Sequence, residues 1–210
     1  MTWLAWRQQR FAFVAASVLV AIYAALAVVA HYDAEFTIIT QLFAGYVTIG
    51  VCMFWGAPLV ARDIEQGTHR LAWTQGGTRT RWLAARLAVA AAGATVTVAA
   101  VTAIITWGLP ETTTDPMRWF TYESHHLVPF ARVLFALTLG TALGALTRHT
   151  HIAMAVSVPI LGLVQLGGAR ALREGTAMTY WQLQVVESVI YLTVAAVLVG
   201  STVVAVHRRP

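Results

Sequence analysis

The chain has no lysine; all fourteen of its Lys+Arg residues are arginines. That absence excludes a nucleotide-binding loop of the Gly-x-x-x-x-Gly-Lys-Ser/Thr kind, in which the lysine reaches the phosphates. If ATP drives this protein, another chain supplies the site. Charge of either sign is scarce. Only 11% of the 210 residues are charged, against about a quarter in soluble domains. Cysteine is nearly absent as well. Cys52 stands alone in an apolar run, so it forms no intramolecular disulfide and gives no information on redox compartment. Neither His-Glu-x-x-His nor Gly-x-Ser-x-Gly occurs, which leaves a membrane protease or lipase without a ligand set or nucleophile. Glu123-Ser-His125-His126 offers three potential ligands in four residues, but no fourth, and the spacing is not that of a known metal site. No catalytic, cofactor-binding or metal residue is therefore expected.

Apolar residues are abundant, at 58% with a mean hydropathy of +0.67. They fall into six runs near the roughly 20 residues a helix needs to cross a bilayer. The expected spans are 11–30, 36–61, 83–109, 127–147, 152–169 and 183–206. Each must be helical, because an unpaired backbone polar group in lipid costs several kcal/mol. The absence of ten-residue alternating segments excludes a barrel. The first run is too long for a signal peptide's apolar region and lacks a small-residue cleavage site. The expectation is one all-α transmembrane domain over residues 1–210, with no separate soluble domain.

Arginine placement sets the orientation. Arg7, Arg10, Arg62, Arg70, Arg79, Arg81, Arg86, Arg148, Arg208 and Arg209 lie on one side, and only Arg118, Arg170 and Arg173 on the other. The richer side is cytoplasmic, which puts both termini inside the plasma membrane. The same count explains the formal charge of +5 without nucleic acid. Arg86 falls near the cytoplasmic end of span three, and two further charges within spans lie at no cytoplasmic boundary. Arg132 and Glu187 each sit about five residues from the external end, roughly 7–8 Å deep. Equal depth makes them an intramembrane charged pair in one reading and substrate contacts in another. Gly140-Thr-Ala-Leu-Gly144 allows close helix approach, within the chain or between two copies.

The largest cytoplasmic loop is 62–82. Gly67 and Gly76-Gly77 bracket Thr68 to Gln75, which reads either as a short helix along the membrane, with Thr68 as N-cap, or as a solvated basic loop. Thr78 is placed to cap the third span.

Glu65-Gln-Gly67-Thr68, Leu71, Trp73 and then Thr78-Arg79-Thr80-Arg81 resemble the loop between spans two and three of type 2 ABC exporter permeases. The opening Met1-Thr-Trp-Leu-Ala-Trp-Arg7-Gln, Trp55-Gly-Ala-Pro-Leu-Val-Ala-Arg62 and Trp181-Gln-Leu-Gln-Val-Val-Glu187-Ser resemble the actinobacterial branch. The resemblance implies a permease that is not itself an enzyme. Two copies would join two ABC ATPase subunits that carry ATP and Mg, and an unidentified substrate would leave between the copies. It implies a coupling helix after Gly67, with Glu65, Gly67, Thr68, Leu71, Trp73, Arg79 and Arg81 serving the ATPase connection. It also implies an interfacial elbow helix carrying Trp3, Trp6, Arg7 and Arg10. The segment after span five often re-enters the membrane in this family, and Gly167-Gly168 permit that. The alternative is a non-transporting anchor or assembly module for another complex.

Overall fold

The computed structural model of the chain describes residues 2–32, 34–67, 78–108 and 119–208. All regular structure among the described residues is helical, and six helical segments are long and apolar enough to cross a membrane. Helix α1 spans Thr2–Tyr32. α2 (Ala34–Gly50) continues through a π-helical turn, Val51–Gly56, into α3 (Ala57–Glu65). α4 is Arg79–Gly108, α5 Trp119–Ser124 and α6 Val128–Thr147. α7 (Thr150–Gly162) continues through a second π-helical turn, Leu163–Ala169, into α8 (Arg170–Gly175). α9 spans Tyr180–His207.

Three segments bear on the expectations. Residues 3–10 are the first turns of α1 and run unbroken into the span. The helical path from Thr150 to Gly175 is also unbroken; the glycine pair sits in a wide turn, and the path does not double back there. The loop expected over 170–182 is consequently mostly helix, and only 176–179 separate α8 from α9.

The π-helical turn in the second span has a local cause. Pro58 lacks an N–H, and its ring crowds the carbonyl four residues earlier; the wider turn immediately before it relieves that crowding. The result is a bend that lays Gly56 against α6. A Cβ on Gly56 would lie 2.6 Å from the Leu137 carbonyl oxygen, and one on Gly140 would lie 2.7 Å from the Ala57 nitrogen. The Gly140–Gly144 pattern is thus filled by this chain's own second span.

α6 is the most deeply buried span and α1 the least. α6 packs against α2, α3, α4, α7 and α9. One apolar cluster joins α1, α2, α3, α4 and α6 around Tyr23, Trp55, Val98 and Leu137. A second joins α6, α7 and α9 around Phe135, Leu161 and Tyr191. A third, of Val60, Trp82, Leu83, Ala145 and Val206, gathers the ends of α3, α4, α6 and α9. That third cluster marks the end of the bundle that also holds the start of α1, hereafter the terminal end.

Candidate functional site

The loop 62–82 leaves and returns at the terminal end. α3 stops at Glu65, Gln66 N–H donates to the Arg62 carbonyl at 3.0 Å, and Gly67 N–H donates to the Ile64 carbonyl at 3.2 Å. Gly67 has φ +67°, a left-handed conformation that costs a side chain about 1–2 kcal/mol. Glycine is the residue that ends this helix cleanly. The Glu65 carboxylate then reaches across to the start of α7. It accepts from Thr150 N–H at 2.8 Å and from Thr150 Oγ1 at 2.7 Å, with His149 Nδ1 3.6 Å away. The Thr150 N–H is a helix N-terminal donor with no intrahelical partner, so a glutamate from another span caps the fifth.

Thr78 caps α4 as expected, its Oγ1 accepting from Arg81 N–H at 3.3 Å. Arg79 turns to the end of α9 and donates to the Val206 and His207 carbonyls at 3.3 and 3.2 Å. This is the complementary arrangement, a cation on orphan C-terminal carbonyls. Arg81 is exposed. Thr68, Leu71 and Trp73 lie outside the described residues, as does the expected short helix.

A buried polar knot lies beside these ties. Asp63 pairs with Arg86, which also donates to Gln8 Oε1 at 2.9 Å and lies 5.1 Å above the Trp82 ring. Gln9 donates to the Arg86 carbonyl at 3.2 Å and accepts from Trp55 Nε1 at 2.8 Å. The start of α1, the end of α3 and the start of α4 are thereby held together. Trp6, Arg7 and Arg10 of the expected elbow are exposed on the first turns of α1, and the Trp3 side chain lies outside the description.

At the opposite end, Arg132 and Glu187 are each 2% exposed, and they are joined indirectly. Arg132 pairs with Glu123 at 2.8 Å, Glu187 pairs with Arg173 at 3.0 Å, and Arg173 reaches Glu123 at 3.2 Å. Two positive and two negative charges thus alternate across α5, α6, α8 and α9. Arg173 lies 4.2 Å over the Tyr122 ring. Burial first, then the Glu187 carboxylate, push the Tyr122 phenol above its ordinary range. His126 holds Tyr180 Oη at 2.8 Å, and burial, then His125, lower its pKa. Gln184, fully buried, accepts from Leu127 and Val128 N–H at 3.2 and 3.0 Å and donates to the Tyr122 carbonyl at 3.2 Å. It caps α6 from α9.

Sequence reasoning missed Glu123, Arg173 and Gln184 as structural partners. Charge counting assigned the first two to loops. The signal available was balance: two buried charges of opposite sign near one membrane boundary call for nearby counter-charges, and Glu123 and Arg173 are at hand.

The architecture is that of a multi-pass membrane protein in which charged latches at the terminal end flank one loop. The chain belongs to the ABC-2 membrane transporter related family, whose model matches residues 21–173. It is accordingly an ABC-2 type permease, a membrane transport component that is not itself catalytic, and membership implies ABC ATPase partners. No curated protein and no solved structure matches the chain.

Proposed function

We propose that this chain is the permease subunit of a heteromeric exporter in the plasma membrane, of the actinobacterial branch. Two copies form the substrate pathway and two separate ABC ATPase subunits bind and hydrolyse ATP with Mg. Both termini and the loop 62–82 face the cytoplasm, and the first turns of α1 sit at the inner boundary, continuous with the span. Residues 68–75 form the coupling helix. One observation carries the reading: the residues on either side of that segment are tied to different spans. Glu65 holds the start of α7, and Arg79 holds the end of α9. A displacement of the segment therefore acts on spans five and six directly. An anchor for another complex has no need of such ties.

The test is docking. Truncating an interface anchor commonly costs more than about 1–2 kcal/mol, so Leu71→Ala and Trp73→Ala should weaken ATPase co-purification or leave hydrolysis running without export. Normal ATPase binding together with export at the wild-type rate in both variants would refute the coupling assignment.

A further inference from the structure

α1 and α4 run side by side and leave a membrane-facing groove lined by Trp6, Phe13, Ser17 and Val20 from α1 and by Val89 and Val96 from α4. Its hydroxyls are satisfied within their own helices: Ser17 Oγ donates to the Phe13 carbonyl at 3.0 Å and Thr97 Oγ1 to the Gly93 carbonyl at 2.8 Å. The groove is therefore largely apolar. From Trp6 to Val20 α1 rises about 21 Å, more than the roughly 15 Å of one leaflet's hydrocarbon. The length and the apolar side chains along it suit extended hydrocarbon chains.

Its terminal mouth is basic. Arg10 lies between the lining residues Trp6 and Phe13 at helical spacing, which sets it at the edge of the groove, outside its lining. Arg10 is exposed, lies 5.0 Å over the Phe11 ring, and makes no ion pair among the described residues. Arg81, also exposed, lies two turns below Val89 on α4. The carboxylates at that end are engaged elsewhere, Asp63 with Arg86 and Glu65 with Thr150. An apolar slot of one-leaflet length with uncompensated guanidinium groups at its mouth matches a lipid whose head carries negative charge.

We infer that this groove binds an anionic phospholipid, with its chains between α1 and α4 and its phosphate at Arg10. The site itself is independent of the transport reading; only its leaflet follows the proposed orientation. The full chain, delipidated and reconstituted into vesicles of equal phosphatidylglycerol and phosphatidylcholine, is re-extracted in mild detergent and its retained lipid measured by mass spectrometry. Wild type should hold phosphatidylglycerol over phosphatidylcholine at least about fivefold. Arg10→Gln, at an exposed position, should bring that ratio close to one, and Ser17→Leu should lower retention of both lipids. ATPase co-purification should be unchanged in both variants, which separates this site from the coupling segment. Equal retention of the two lipids by wild type, or full retention by Ser17→Leu, overturns the inference. So does efficient cross-linking between copies through Ser17→Cys in a Cys52→Ala background, because a second copy would then occupy the groove.

Discussion

Arg132 and Glu187 are legible in the sequence as buried charges, and their partners are not. Depth along a span can be counted at about 1.5 Å per residue, but partner choice depends on where the flanking segments fold. Here α5 brings Glu123 to Arg132, and the unbroken helix through Gly175 carries Arg173 to Glu187. Buried ion pairs stripped of one member commonly lose about 3–5 kcal/mol, because the remaining charge is uncompensated. Double-mutant cycles on thermal unfolding in detergent should therefore return about 1–3 kcal/mol of coupling for Arg132 with Glu123 and for Arg173 with Glu187. The cycle joining Arg132 to Glu187 should return less, since they interact only through the other two. Equal coupling in all three cycles would restore the direct pair. A simple exchange of Arg173 and Glu187 should not rescue, since it puts a carboxylate beside Glu123.

The helices themselves were readable, because twenty apolar residues in lipid leave the backbone no alternative to internal hydrogen bonds. Their irregularities were only half readable. Pro58 follows the wide turn at 51–56, whereas Pro159 sits inside α7 and the wide turn at 163–169 begins four residues after it. Which helix fills a Gly-x-x-x-Gly face is a tertiary matter that sequence leaves open, since both an internal and an intermolecular partner satisfy it. The internal contact makes a contrast testable. Gly140→Ala forces a methyl group against the α3 backbone near Ala57, an overpacking that costs about 1–3 kcal/mol. Gly200→Ala, with nothing within 4 Å of the new atom, should stabilise by up to about 1 kcal/mol from helix propensity. Melting temperatures of the two purified variants should move in opposite directions. If Gly140→Ala left the melting temperature unchanged but dissociated a dimer, the face would be intermolecular.

For the molecule as a whole, the resemblance carried by the loop motif Glu65-Gln-Gly67-Thr68 gave Glu65 no physical task. The structure supplies one, and it separates two ways of damaging the terminal end. Asp63 and Arg86 are buried and knit α1, α3 and α4, so losing either should unfold the bundle. Glu65 is exposed and works as a cap on α7; losing a cap costs only about 1 kcal/mol. Glu65→Ala should therefore leave the spans folded and the docking face proposed for residues 68–75 untouched. The broken link is the one from that loop to span five. ATPase co-purification and ATP hydrolysis in proteoliposomes should persist while export per ATP falls severalfold. Glu65→Gln keeps one acceptor oxygen for Thr150 N–H and should fall between the two. Arg79→Leu should uncouple by the parallel route, through the carbonyls at the end of α9, and combining it with Glu65→Ala should lower coupling further than either change alone. If Glu65→Ala and Arg79→Leu both export at the wild-type ratio of substrate to ATP, the latches are stability devices only, and the transmission of ATPase motion must run through α4 and α1.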